Sequence, residues 1–321
     1  MSQDVFVVVE HLRGEVSEIS YVMLAAARSL SQATAGKVVG VLLGHGARGL
    51  AAGLRADRVL YLDDPSLADY TPDSYLHALA PLIGSEKPRA LLMGNTSIGA
   101  DVASALSARL DLPLISSCLV AGADGKLSCR VFGGKIMAEA ALPEATTVIT
   151  MIPGGHSPED GKSTQAPEVV NVPAPAAGEP RVTLKRYIEP EAGDVDISKE
   201  PILIAVGRGI QRQDNLELAE ELAKVLGGSV CASRPVVDQG WLPTSRLVGK
   251  SGKSVGAKLY LAMGISGAPE HVEALTGAET IIAINTDPLA PIFEIAKYGA
   301  LVDLFDLVPA LTEKIRQAKP T

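Results

Sequence analysis

Lys258–Pro288 reads KLYLAMGISGAPEHVEALTGAETIIAINTDP, and this stretch decides the fold. LYLAM has the length and composition of a strand. It breaks at Gly264, and Gly264-Ile265-Ser266-Gly267 makes a turn of small residues. APEHVEAL then starts a helix, and TIIAIN is a second buried strand. Strand, glycine turn, helix and parallel strand form a right-handed crossover unit. The turn stands at the carboxyl end of a strand and at a helix N-terminus. Free N–H groups and the positive end of the helix dipole favour an anion there, such as a phosphate. The spacing is not G-x-G-x-x-G, and Ala268 in the last position excludes the G-x-S-x-G nucleophile turn.

The rest of the chain supplies the same grammar. Its 321 residues suffice for about two domains, and 47% of them are apolar. No apolar run reaches the roughly 18 residues of a membrane helix. The start, MSQDVFVVVE, enters a strand at once, so the expectation is a cytoplasmic protein without a signal or transit peptide. A net charge of −8 without a basic block argues against a nucleic-acid partner. Cys118, Cys129 and Cys231 have no metal-ligand spacing, and their odd number speaks against a disulfide framework.

In chain order, DVFVVV, VVGVLLG, RVLYLD and RALLMGN are strands separated by helical segments, with Ser17 as an N-cap for the first helix. This β-α alternation predicts a doubly wound sheet. From LISSCLVAG to TTVITMIPGG strands recur without helices, so antiparallel additions are expected. Gly94-Asn95-Thr96-Ser97 and Gly133-Gly134-Lys135 read as turns. Six prolines between Pro153 and Pro180 read as an extended connector, and RVTLKRYIEP as one more strand. A second α/β unit starts at PILIAVGRG. The expected architecture is therefore α/β with two doubly wound domains. Residues 1–190 form a parallel sheet with antiparallel additions, and residues 191–321 form a Rossmann-like domain.

In the second domain the strand ends carry polar residues. Gly207-Arg208-Gly209 follows ILIAV, Ser233-Arg234 follows SVCA, the GISG turn follows LYLAM, and Asn285 follows TIIAI. Asp303 falls in a last strand, LVDLF. The carboxyl ends of an open parallel sheet border its ligand crevice. VGKSGKS lacks the spacer of a phosphate loop, which excludes ATP hydrolysis of that type. No nucleophile–base pair is present, so the residues point to binding rather than covalent catalysis.

The ordered series GRG, ASR, VGKSGK, LYLAMGISGAPEH and AINTDPLAPIFEIAKYGALVDLF closely resembles the α subunit of electron-transfer flavoproteins. The match is strong from Pro201 to Pro309, and looser through GNTSIGADVASALSARLDLP in the first half. The resemblance implies one FAD on the second domain and a heterodimer with a β subunit, the first domain serving as scaffold and subunit interface. It assigns Arg208, Ser233, Arg234 and the run Val248, Gly249, Lys250 and Ser251 to the flavin and its phosphates. It continues the site through Ser266, Gly267, Ala268, Pro269, Glu270 and His271 to Asn285, with Asp303 and Leu304 beside the adenosine. Lys250 stands where the family has a neutral amide. Pro235 and the segment PEHVEAL are further departures.

By the same resemblance, Arg234 and the imidazole of His271 direct donors at the flavin edge that gains negative charge on reduction. A charge-assisted hydrogen bond stronger by roughly 1.5–3 kcal/mol toward the anion raises a one-electron potential by about 65–130 mV. The implied role is an electron shuttle from a flavin dehydrogenase, such as an acyl-CoA dehydrogenase of fatty-acid β-oxidation, to a quinone oxidoreductase or other acceptor. Two alternatives stand beside it. One is a subunit of an electron-bifurcating complex that oxidises NADH. The other is a non-redox nucleotide-binding module. An NAD-dependent dehydrogenase lacks its fingerprint in either half.

Overall fold

The computed structural model describes residues 2–132, 136–175, 181–187, 194–275 and 277–318. The chain divides into two compact units, Met1–Tyr187 and Ile188–Thr321. The Gly133-Gly134-Lys135 turn and the boundary near residue 190 lie outside the described residues.

The first unit opens with β1 (Val5–Val9), the short hairpin strands β2 (His11–Leu12) and β3 (Glu15–Val16), α1 (Glu18–Thr34), β4 (Val38–Gly44) and β5 (Arg58–Asp63). There follow α2 (Pro72–Glu86), β6 (Ala90–Gly94), α3 (Ser97–Leu110), β7 (Leu114–Ala121), β8 (Lys126–Val131), β9 (Ile136–Ala141), β10 (Thr147–Met151) and β11 (Glu168–Asn171). Nine strands make one sheet in the order β11-β5-β4-β1-β6-β10-β7-β8-β9. The reason β1 reads as unbroken VFVVV is visible in its packing. Val5, Val7 and Val9 face α1, and Phe6 and Val8 face the opposite layer, which includes residues of α2 and α3.

Three expectations for this unit need correction. β7 and β10 are not antiparallel additions to the parallel strands, because β10 pairs in parallel with both β6 and β7; the antiparallel pairings are β7–β8 and β8–β9, so β8 alone is reversed in this sheet. The proline-rich connector contains β11, which pairs in parallel with β5 and extends the sheet. Within the same tract a 3₁₀ turn, Pro158–Gly161, packs on α1 so closely that a Cβ on Gly161 would run into the Tyr21 carbonyl. Residues 181–187 are not a strand. Their side chains bind α2 and the loop before it, Arg181 through Asp73 and Tyr187 through Asp69. Ser17 occupies the N-cap position of α1, but without a side-chain hydrogen bond.

The second unit comprises β12 (Ile202–Val206), α4 (Leu216–Leu226), β13 (Ser229–Ala232), α5 (Arg234–Asp238), β14 (Leu259–Met263), α6 (Pro269–Val272), β15 (Ile281–Asn285), α7 (Ile292–Ile295), β16 (Tyr298–Leu301) and α8 (Leu304–Ala318). All five strands are parallel, in the order β13-β12-β14-β15-β16. Alternate residues of β12 and β14 again enter different cores. Leu203, Ala205, Tyr260 and Ala262 pack in one layer, and Ile204, Val206, Leu261 and Met263 pack with α4 and α8 in the other. α4 ends where Gly227 takes the left-handed conformation at φ 76°.

The crossover helix expected from APEHVEAL shrinks to the single turn of α6 followed by a 3₁₀ turn, Glu273–Leu275. Pro269 starts it, and the small residues of TGAE carry too little apolar surface to extend it. The last strand is YGAL rather than LVDLF. Asp303 ends the extended segment because its carboxylate accepts the N–H of Phe305, 3.0 Å away, and so starts α8.

Candidate functional site

In the second unit β12 connects through α4 to β13 on one side, and the chain then crosses to β14 on the other. The order of strands reverses between β12 and β14, which is where open α/β sheets bind ligands. Glycines make this junction. Gly207 N–H donates to Met263 O at 2.8 Å, and Gly209 N–H donates to Gly264 O at 3.1 Å. A Cβ on Gly209 would come within 2.6 Å of Gly264 Cα, and one on Gly207 would overlap the Gly264 carbonyl. Gly264 itself has φ +62°, a conformation that favours glycine. The two loops approach each other as backbone alone.

The GISG turn is shaped from beneath. Asn285 Nδ2 donates to Ile265 O at 2.9 Å, and its Oδ1 accepts the N–H of Asp287 at 3.0 Å. Ile292 N–H donates to Ser266 O, and Gly267, at φ +85°, leaves room for Ile292 Cα. Among the described residues, none accepts from the N–H of Ser266, Gly267 or Ala268. The anion-receptive feature of this turn is thus its row of unengaged N–H groups, since one helical turn carries little macrodipole.

The neighbouring strand ends add side chains. Arg208 is exposed on a 3₁₀ turn directly after Gly207, and Ser233 is buried at the end of β13. Arg234 is two-thirds exposed, with Nη1 3.5 Å from Ser251 Oγ and Nε 3.4 Å from the Asp238 carboxylate. Lys250 is exposed, so water and salt screen its charge. Lys253 is bound to Asp196 at 2.6 Å, so the second lysine of VGKSGKS is engaged within the unit.

The loop Val248–Ser251 is held at several backbone points. Val248 N–H donates to Ala232 O at 2.9 Å, Lys250 N–H donates to Glu270 O at 2.8 Å, and Gly249 takes φ +152°. Before it, Arg246 joins Asp194 at 2.6 Å through Nε and the Val230 carbonyl at 2.8 Å. These bonds bring together Ser233, Arg234, Val248–Ser251 and Pro269–His271. Asp303 and Leu304 lie at the start of α8, directly after Val302, whose N–H donates to Asn285 O at 3.2 Å; the Asp303 carboxylate caps the helix and Leu304 is buried in the core.

His271, to which the resemblance gives a donor aimed at the cofactor, is 6% exposed, and both its ring nitrogens have partners within the unit. Nε2 lies 2.9 Å from Tyr260 Oη, and Nδ1 lies 3.1 Å from Val248 O. Burial lowers its pKa to about 4, so it is neutral at physiological pH. Sequence reasoning missed Tyr260, a polar tip inside the LYLAM strand. A tyrosine in an otherwise aliphatic buried run is itself a signal that its hydroxyl has a partner.

A mainly parallel α/β chain with its crevice at a glycine junction defines a nucleotide-cofactor protein. Residues 5–177 match the electron transfer flavoprotein domain, and residues 196–276 match the electron transfer flavoprotein FAD-binding domain. The electron transfer flavoprotein α subunit of Bacillus subtilis is 32% identical over 99% of this chain and 98% of its own length. That of Methylophilus methylotrophus is 35% identical over 97% and 98%. The acryloyl-CoA reductase electron transfer subunit β of Anaerotignum propionicum is 33% identical over 99% and 96%. The chain belongs to the electron-transfer flavoprotein α-subunit family, and its cofactor is FAD.

Proposed function

We propose that the chain binds FAD along the carboxyl ends of β12–β14 and carries electrons from a flavin dehydrogenase to a separate oxidoreductase. The observation that carries this is the meeting of Arg234 and Ser251, both exposed, beside a turn whose N–H groups at Ser266–Ala268 are unengaged. The residues fit a flavin dinucleotide. A glycine junction that any Cβ would fill gives close backbone approach, and the N–H row suits a pyrophosphate. When bound, the isoalloxazine supplies the reversible acceptance of electrons.

The chain's own residues do the tuning. The Arg234 guanidinium places fixed positive charge near the ring, and the Ser251 hydroxyl offers a donor that Arg234 keeps in place. Asp238 offsets part of the Arg234 charge, and the exposure of all three limits their effect on the potential. Arg208, Ser266 and Asn285 are assigned to the phosphates and Asp303 to the adenosine end. The β subunit, the partner this family implies, docks on the first unit. Phe132 (77% exposed), Ile136 and Met137 (52% exposed) on the β8–β9 pair support that face.

A second reading is membership in an NADH-oxidising, electron-bifurcating complex; one relative is named as an electron transfer subunit of acryloyl-CoA reductase. A flavin count on the heterodimer, followed by stepwise reductive titration, tests both. One FAD per heterodimer, reduced in one-electron steps, supports the shuttle. Two FADs support the second reading, and a heterodimer that takes up no FAD refutes both.

A further inference from the structure

The loop assigned to the flavin closes on itself as backbone. Lys253 N–H donates to Leu247 O at 2.8 Å, Gly249 N–H to Lys253 O at 3.3 Å, and Gly252 N–H to Gly249 O at 2.8 Å. A Cβ on Gly252 would lie 2.4 Å from Leu247 O, so the two ends of the loop meet without side chains between them. Leu247 and Val248 at the base are buried, whereas Lys250, Ser251 and Gly252 at the tip are exposed. Two further backbone bonds tie the loop to Ala232 and Glu270. With no buried side chain of its own, the tip is placed by whatever holds the base.

A cation flanks the loop at each end, and each is taken by an aspartate of the short segment that leads into β12. Asp194 accepts from Arg246 Nε at 2.6 Å and from the Ser245 hydroxyl, while Arg246 Nη1 reaches Val230 O at 2.8 Å. Asp196 accepts from Lys253 Nζ at 2.6 Å and from the Ser198 hydroxyl at 2.7 Å. Lys199 Nζ lies 3.6 Å from the same carboxylate but is 83% exposed, so it adds little. The Arg246 pair is mostly buried, with 18% and 12% of its side chains exposed, and breaking such a pair leaves a charge stranded. Ile197, between Asp196 and Ser198, is fully buried in the core layer that also holds Val248 and Val255. The aspartates thus stand on a rooted segment. The Lys253 ammonium, with the Ser198 hydroxyl, holds the Asp196 carboxyl well below the usual carboxylate range, so it is charged at neutral pH.

We propose that Asp194 and Asp196 are positioning residues for the cofactor: they clamp the two ends of the Leu247–Lys253 loop through Arg246 and Lys253, and so set the place of Ser251 beside Arg234 at the FAD crevice. The clamp rests on the reading that this loop borders FAD, but its geometry lies wholly within the second unit. Arg246 and Lys253 are ties rather than phosphate ligands, since each is paired with a carboxylate of the unit itself. The flavin loop is therefore held by the segment through which the chain enters this unit. The two ties differ in kind. Arg246 joins Asp194 and Val230 O with different nitrogens of one planar fork, which a lysine cannot copy. Lys253 makes a single point contact, which an arginine can replace.

The test uses the full-length chain with its β subunit, ¹⁵N-labelled and freed of flavin. The amide resonances of residues 249–252 are read first, and FAD is then titrated in. Asp196→Ala and Lys253→Met each shift the loop amides and weaken FAD binding about three- to tenfold. The double variant matches either single one, because the first change already opens the tie. Lys253→Arg restores the wild-type resonances and affinity. Arg246→Lys keeps the charge but loses the fork, and it shifts the loop as Asp194→Ala does. Effects of Asp196→Ala and Lys253→Met that simply add overturn the proposal, as does a Lys253→Arg no better than Lys253→Met. Weakened FAD binding in Lys253→Met with the loop amides unmoved would make Lys253 a phosphate ligand and overturn it too. If the buried Asp194 and Arg246 variants fail to fold, the more exposed Asp196–Lys253 cycle decides alone. A wild-type heterodimer that takes up no FAD sinks the functional reading alone, since the loop shifts and their coupling are read without flavin.

Discussion

The two units each have a strand-order reversal, and they treat it in opposite ways. In the first, between β1 and β6, the crevice holds the protein's own carboxylate. Glu10 follows β1, is 6% exposed, and accepts from Thr96 Oγ1 at 2.8 and 3.0 Å and from the Gly94 N–H. Thr96 in turn caps α3 through Gly99 N–H at 2.9 Å. A carboxyl group thus occupies the N-terminus of a full helix, where a ligand phosphate would otherwise be favoured. In the second unit, among the described residues, no acidic side chain is hydrogen-bonded to the corresponding loops, Gly207–Gly209 and Gly264–Gly267. Glycine backbones and unengaged N–H groups line this reversal, and the nearest cations are exposed. One reversal is filled from within, and the other is shaped to receive a group from outside.

The largest expected effect breaks the open reversal. Gly209→Ala forces a Cβ against the Gly264 backbone, which cannot yield as a side chain can. The variant is expected to lose about 3 kcal/mol or more of stability in the second unit and most of its flavin, read by denaturant unfolding and visible absorbance. Gly94→Ala in the first unit meets the Glu10 carboxylate instead. Its cost is expected at about 1–3 kcal/mol, and a Glu10→Ala background should relieve part of it. A double-mutant cycle measures that coupling.

Acid distinguishes the units next. The His271 pKa is lowered from 6.5 to about 4 by burial, so the unfolded chain binds the proton more readily. The stability this group contributes is complete above about pH 6.5 and is lost as pH falls toward about 4. The loss approaches roughly 3 kcal/mol in that window, and His271→Asn should flatten it. Glu10 has the opposite sign. Burial raises its pKa from 4.5, so the stability tied to its proton is present below about pH 4.5 and is lost as pH rises through the folded value. Glu10→Gln should remove this slope, with an effect of about 1 kcal/mol in urea unfolding across the same pH range.

The smallest effect sharpens the electrostatic part. Arg234→Ala should lower the flavin potential by about 65 mV or less, because the guanidinium is largely exposed, and Lys250→Gln should leave it nearly unchanged. A shift for Lys250→Gln equal to that for Arg234→Ala would mean that the loop lies differently from its position here.

Much of this arrangement is legible in the residues. Unbroken apolar runs such as VFVVV and LYLAM mark strands buried on both faces, and the polar residues after them mark strand ends that line a crevice. The same sign stands at Glu10, directly after VFVVV, and there it marks a crevice filled from within. The direction of β7 and β10 is not local information, because it depends on which edge of the sheet the chain reaches after α3. β11 is hidden among prolines, since EVV is short and only its pairing with β5 makes it a strand. The partners of His271 come from β14 and from the segment before it, so no spacing announces them. Asp303 illustrates the remaining gap: an N-cap and a strand residue look alike until the helix after it is seen to begin.

The most direct measurement is a titration of flavin-free heterodimer with FAD for wild type, Arg234→Ala and Glu10→Gln. With FAD in the second reversal and the first one closed by Glu10, Arg234→Ala weakens binding and Glu10→Gln leaves it at the wild-type value. Weakened binding in Glu10→Gln with none in Arg234→Ala would place the cofactor in the wrong unit and contradict the account.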